Sequence, residues 1–326
     1  MTSPNRRKRN RLLLFAILGL GILSIIAVIL VVILIINLLK PEPGGPQGPT
    51  TKSPSSSAPR PTAQPADCPD VQVIVVPGTW ESNSNDDPYN PTANPESLML
   101  KVSAPLSNEF DASRADVYTV PYIAEFRNPA NLTDKQADYD VSRAEGTERT
   151  RAKIAEVAAK CALTNYVLMG FSQGAVIVGD IASEIGNGQG PVAQDLVLGV
   201  GLIADGRREP NQAQNAGPNP PGVGAEIALD ILPIPGITLT GPRPGGFGEL
   251  TDRTYSLCAP GDLICDAPTI ANPIAAINKL MSAINNPVHA MYNTTVYWSD
   301  NGQPATVWMT DWARGVIDKA PFPKHE

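Results

Sequence analysis

The segment from Tyr166 to Ile185 constrains the fold of this chain more than any other. Tyr166-Val-Leu-Met169 is a short apolar run that fits one buried strand. It enters Gly170-Phe-Ser-Gln-Gly174 directly, and Gln173 to Ile185 then carries Ala175, Val176, Val178 and Ile181 at helical spacing. A strand, a tight turn and a helix in immediate succession form the strand–turn–helix of a nucleophile elbow. Gly170 and Gly174 let strand and helix approach closely, and the turn strains the Ser172 backbone so that its hydroxyl is presented. The GxSxG letters alone are a weak signal; the context carries it. The helix N-terminus adds positive potential where an oxyanion would develop.

The rest of the chain repeats the alternation. Asp70-Val-Gln-Val-Ile-Val-Val-Pro77, Asp116–Val120, Leu196–Ala204 and Arg253–Leu257 read as strands, giving five with the elbow strand. Helices are expected from an N-cap at Asn94 with Pro95 at the first helical position, over 141–161, near 271–285 and over 308–319. Residues 206–250 are rich in Pro and Gly and read as irregular. The pattern predicts an α/β fold, a central five-stranded parallel sheet with helices on both faces. Active sites of such sheets lie at the carboxyl ends of the strands.

The N-terminal region is different in kind. Residues 6–11 read Arg-Arg-Lys-Arg-Asn-Arg, and Leu12 to Leu39 then run for 28 residues without a charge. That length spans a bilayer with some tilt, and the basic cluster puts residues 1–11 in the cytoplasm. The run is too long for a signal peptide and lacks a small-residue cleavage site, so a single transmembrane anchor is expected. Residues 40–66 hold most of their composition in Pro, Gly, Ser and Thr and read as an extended linker to a domain at 67–326. The expected location is therefore the plasma membrane, with the domain on the extracytoplasmic side.

Charge excludes one function class. Residues 66–326 hold 17 Lys and Arg against 31 Asp and Glu, a net charge of −14, the wrong sign for a nucleic-acid partner. The chain has two histidines, His289 and His325, which excludes a His-rich metal site. Its four cysteines, Cys68, Cys161, Cys258 and Cys265, form no CxxC pair, and outside the cytosol they read as two disulfides.

A serine nucleophile needs a base and an orienting acid, which in this order of elements follow it as Asp and then His. His325 is next to last, beyond Pro321 and Pro323, and is expected to fray. His289, in a loop after Asn286-Pro287-Val288, is the credible base. The acid falls in Cys258-Ala-Pro-Gly-Asp262-Leu-Ile-Cys265, as Asp262, with Asp266 just outside as the rival.

At these residues the sequence resembles the cutinase family of serine esterases, an α/β-hydrolase family. The family shows a GxSxG-type elbow, a Cys-x-x-x-Asp-x-x-Cys loop with the acid, and a His on a later loop. Ser172, Asp262 and His289 match, and the resemblance selects Asp262 over Asp266. It implies disulfides Cys68–Cys161 and Cys258–Cys265. It also implies oxyanion donors at the Gln173 amide and at Thr79, since Gly78-Thr79-Trp80-Glu81 matches the family's Gly-Ser-Thr-Glu pattern. The basic N-terminus, anchor, Pro-rich linker, Val-Pro-Gly-Thr-Trp-Glu and Gly-Pro-Arg-Pro-Gly-Gly-Phe-Gly are similar to membrane-anchored members from mycolic-acid-producing actinobacteria. These imply an envelope phospholipase A or thioesterase, no cofactor, a lipid or acyl-thioester substrate, and a monomeric domain. Acyl transfer to a sugar or lipid hydroxyl, a polysaccharide- or peptide-directed esterase and a non-catalytic binding protein on a hydrolase fold are the alternatives. The uncharged stretch Ile231–Leu239 reads either as a flap along an acyl site or as ordinary core.

Overall fold

A computed structural model describes residues 60–129, 131, 133–230, 234–268 and 286–326. The chain divides into two units, Met1–Thr51 and Lys52–Glu326, and every described residue lies in the second. The anchor expected at 12–39 and the helix expected at 271–285 lie outside the described residues. Among those described, no helix is long and apolar enough to cross a membrane.

The strands are β1 (Val71–Val76), β2 (Ala115–Thr119), β3 (Asn165–Phe171), β4 (Val197–Ile203), β5 (Gln214–Asn215) and β6 (Thr254–Leu257). They form one sheet in the order β2-β1-β3-β4-β6-β5, with every pairing parallel. The sequence predicts five strands, and the sheet has six. The addition is β5, which pairs Gln214 with Tyr255 and Asn215 with Ser256 inside the segment read as irregular. Both of its residues are exposed, so no apolar run marks it. Its place comes from main-chain groups that β6 offers at the sheet edge.

The helices are α1 (Leu100–Glu109), α2 (Tyr139–Lys160), α3 (Gln173–Gly186), the short α4 (Ala225–Ala228) and α5 (Ala305–Lys319). The pleat of β1 divides the core. Val71, Val73 and Val75 pack with α1 and α5, while Ile74 and Val76 pack with α2 and α3. A strand buried on both faces reads as a near-continuous apolar run, as the sequence of β1 does apart from Gln72.

Two expectations near the ends of elements are corrected. Asn94 does not cap a helix. Its Oδ1 accepts the Glu96 amide at 2.8 Å in a local turn, and α1 starts later, with Ser97 Oγ accepting the Leu100 amide at 3.1 Å. Residues 94–99 are spent wrapping the Glu81 carboxylate, which accepts the Leu98 amide. The C-terminus is not frayed either. The Gln64 amide donates to Lys324 O at 2.8 Å, the Glu326 amide returns to Gln64 O at 3.0 Å, and His325 Nε2 meets Asp70 Oδ1 at 2.8 Å. Partners distant in sequence hold a tail whose local sequence offers nothing to hold it.

Helix α3 is buried on nearly all sides, 12 of its 14 residues. Its outer face is covered by the 206–250 segment through an ion network. Asp180 Oδ1 meets Arg207 Nη1 at 2.8 Å and Arg243 Nε at 2.9 Å, and Asp180 Oδ2 meets Arg143 Nη2 at 2.5 Å. Arg243 also grips Asp205 with both Nη atoms, at 2.5 and 2.9 Å. Burial alone would raise the Asp180 carboxyl, but the three arginines outweigh it and hold its pKa low. Such a network repays its desolvation only in part; what it fixes is where the segment lies on the helix.

Candidate active site

Ser172 caps α3 with φ 55° and ψ −120°, a backbone conformation that costs energy in a residue with a side chain. The surroundings enforce it. The Ser172 amide donates to Ile203 O on β4 at 2.9 Å. A Cβ on Gly174 would overlap the Val76 carbonyl, and one on Gly170 would overlap the Gly174 carbonyl, so both positions admit only glycine. The Gln173 amide is the first of α3, one of the amides that a helix leaves without an internal acceptor.

His289 sits on a turn of 3-10 helix, Pro287–Ala290, whose cap Asn286 accepts the Val288 amide at 3.0 Å and donates to Gly261 O at 2.7 Å. Its Nε2 stands 2.8 Å from Ser172 Oγ, and its Nδ1 stands 2.9 Å from Asp262 Oδ2. The Phe171 ring stacks on the imidazole, centroids 4.9 Å apart. Asp262 is fully buried in the loop after β6, and the Ile264 amide and the Tyr292 hydroxyl also donate to it, at 3.0 and 2.8 Å. Burial works to raise the Asp262 carboxyl, yet attraction to His289 and these hydrogen bonds prevail and lower its pKa. Asp266 faces elsewhere. Its oxygens accept the Gly222 and Gly261 amides, each at 2.8 Å, which closes the acid loop from outside.

The structure pairs Cys68 with Cys161 and Cys258 with Cys265. The first joins the start of β1 to the end of α2, and the second closes the loop that carries Asp262. Beside Ser172, the turn Gly78–Glu81 is held by one side chain. Glu81 Oε2 accepts the Gly78 amide at 2.9 Å, and its Oε1 accepts the Leu98 amide. Burial raises the Glu81 pKa against these hydrogen bonds.

Ser172 and His289 open onto a pocket of about 130 Å³. Thr79 and Trp80 line it together with Phe126, Tyr139, Ile237 and Leu239. The uncharged stretch is described only in part. Ile231–Pro233 lie outside the described residues, but Ile237 packs in a small core with Tyr139 and Leu229 while also lining the pocket.

Sequence reasoning did not find Phe171, Tyr292, Asn286 or the role of Glu81 as a clamp. Phe171 lies within the elbow motif and Asn286 beside His289, so proximity was the available signal. Tyr292 carries none, because its partner is 30 residues away.

The sequence model of the cutinase family matches residues 67–295. The chain is similar to the carboxylesterase Culp6 homolog of Corynebacterium glutamicum, 42% identical over 316 residues that cover 94% of this chain and 96% of the relative. In fold it is similar to the catalytic core domain of acetyl xylan esterase from Trichoderma reesei, at a TM-score of 0.50 and 18% identity, covering 78% of this chain and all of that one. A cutinase-like protein from Cryptococcus sp. aligns at a TM-score of 0.44 and 19% identity, over 81% of this chain and all of that one. The chain belongs to the cutinase family and is a carboxylic ester hydrolase.

Proposed function

We propose that the protein hydrolyses acyl ester or thioester bonds of lipids, as an envelope phospholipase A or thioesterase, through a Ser172–His289–Asp262 triad. The observation that carries this reading is His289 bridging Ser172 and Asp262 at the mouth of an apolar pocket. His289 Nε2 accepts the Ser172 proton as Oγ attacks the acyl carbonyl. Asp262 holds the other nitrogen protonated and stabilises the imidazolium that forms. The amides of Gln173 and Thr79 receive the oxyanion, each such donor being worth about 100- to 1,000-fold in rate. His289 then protonates the leaving alcohol or thiol, and water releases the acyl group by the reverse path.

Residues 12–39 anchor the enzyme in the plasma membrane, with the catalytic domain outside. The basic cluster at 6–11 and two disulfides, which persist in oxidising compartments, support that placement. A role in a mycolate-containing envelope belongs to the same proposal and rests on the resemblance of the basic N-terminus, the uncharged run, the Pro-rich linker and Val-Pro-Gly-Thr-Trp-Glu to membrane-anchored members from mycolic-acid-producing actinobacteria.

The test is fatty-acid release from phospholipid vesicles by the full chain in detergent, beside Ser172→Ala. Release by the parent alone supports the reading, and the position cleaved defines the type. Equal release by the variant removes Ser172 from the mechanism. Transfer of the acyl group to an added sugar or lipid hydroxyl in preference to water would make the enzyme an acyltransferase instead.

A further inference from the structure

Trp80 occupies the place where the family's Gly-Ser-Thr-Glu pattern has a threonine. Here the side chain is a large aromatic one, and its geometry is unusual. Its φ is 65°, in the left-handed region that a bulky residue rarely enters. Three contacts hold it. The Trp80 amide donates to Ala124 O at 2.6 Å, and Ala124 itself has φ 52°. The Trp80 carbonyl accepts from Asn94 Nδ2 at 3.1 Å, and the indole Nε1 donates to Gln136 Oε1 at 2.5 Å.

Trp80 is 53% exposed, so the core does not require it there. It lines the pocket beside Thr79, Ser172 and His289. Its polar edge is taken up by Gln136, which leaves the apolar ring for the pocket. Gln136 is fastened in turn to Asp134 at 3.3 Å, and Asp134 accepts the Asn128 amide at 2.9 Å. These bonds tie the turn that carries Thr79 to the loop that contributes Phe126. Phe126 packs edge-to-face on Tyr139 at 5.8 Å, and both line the pocket together with Ile237 and Leu239, which belong to the same small cluster. Strain held in place beside the pocket by three hydrogen bonds points to a use there.

The geometry points to Trp80 as the residue that sets acyl-chain preference, its ring covering the first methylenes of a linear acyl chain and Gln136 latching it in place. A short acyl group such as acetate ends before it can use this contact. A longer chain lies between the indole and the Ile237 side. This rests on Ser172 as nucleophile and the pocket as acyl site.

The experiment measures kcat/KM of the full chain on p-nitrophenyl esters from acetate to palmitate. The variants are Trp80→Ala, Trp80→Phe, Gln136→Leu and Trp80→Ala/Gln136→Leu. In Trp80→Ala the octanoate-to-acetate ratio should fall about tenfold or more, as loss of contact with one or two methylenes predicts. Trp80→Phe should fall between parent and alanine. Gln136→Leu should lower the ratio with Trp80 present, and add nothing once Trp80 is alanine, because the two act as a unit. If Trp80→Ala does not fold, Trp80→Phe and Gln136→Leu give the same readout. An unchanged ratio in folded, active variants overturns the proposal and leaves the triad standing. Ester hydrolysis by Ser172→Ala at the parent rate would instead overturn the reading beneath it.

Discussion

The Tyr292 hydroxyl donates to Asp262 Oδ2 at 2.8 Å, the same oxygen that His289 Nδ1 meets at 2.9 Å. The Tyr292 oxygen also accepts the Ala259 amide at 2.9 Å, so one buried phenol joins the acid to the loop that carries it. Tyr292→Phe removes a hydrogen bond to a charged group and strands the Ala259 amide. A stability loss of about 1.5–3 kcal/mol follows, with a smaller fall in kcat than any change at Asp262 itself. Chemical denaturation and steady-state kinetics check both, and an unchanged denaturation midpoint contradicts the account.

Asp262→Asn preserves volume but no longer fixes the His289 tautomer. The fall in kcat should be about 10,000-fold, as for such acids in other triads. Reaction of Ser172 with a fluorophosphonate should slow in parallel. Labelling at the parent rate would place the acid elsewhere.

Glu81 is a buried carboxylate that accepts main-chain amides from both sides, Gly78 in the turn beside Ser172 and Leu98 ahead of α1. Glu81→Gln sets an NH2 group against one of those donors and shifts the turn that carries the Thr79 amide. Expected is a drop in kcat of up to about 100-fold, short of complete loss of a donor, with KM for a short ester nearly constant. A raised KM at parental kcat would assign Glu81 to substrate binding instead.

Two glycine substitutions should act in opposite directions. Gly174→Ala drives a methyl group into the Val76 carbonyl and should cost about 3 kcal/mol or more. Gly315 lies inside α5 with open space at its Cβ, so Gly315→Ala should gain about 0.5–1 kcal/mol through helix propensity. Thermal melting of the two variants reads both signs.

The hydrogen bond to Asp70 raises the His325 pKa above its ordinary 6.5. A base with a raised folded-state pKa contributes stability that is fully present below its unfolded pKa and is lost as pH rises through the folded one. His325→Gln should therefore melt below the parent at about pH 5.5, and the gap should close by about pH 9. A gap that widens with pH would reverse the assignment.

The elbow was legible because it is local. Strand, glycines, serine and helix lie within residues 166–185, and their types dictate the turn. The apolar, β-branched run of β1, broken only by Gln72, announced a strand buried on both faces. Ser172 and His289 stood out because an elbow serine needs a base in a chain with two histidines, whereas the choice of Asp262 over Asp266 came from the resemblance to the cutinase family. β5 was not, since its exposed Gln214 and Asn215 carry no periodic signal. Nor was the tail, where His325 is held by Asp70, 255 residues away.

The sequence by itself determined the alternating α/β layout, the serine turn and the composition of the acid loop, because backbone strain, periodicity and charge act over a few residues. Tertiary structure alone decided what surrounds them: the Asp180–Arg243–Asp205 network over α3, Tyr292 behind Asp262, and the latch between Trp80 and Gln136. The bonded partners lie between 30 and 63 residues apart along the chain, and only the closed fold supplies the burial and geometry that join them.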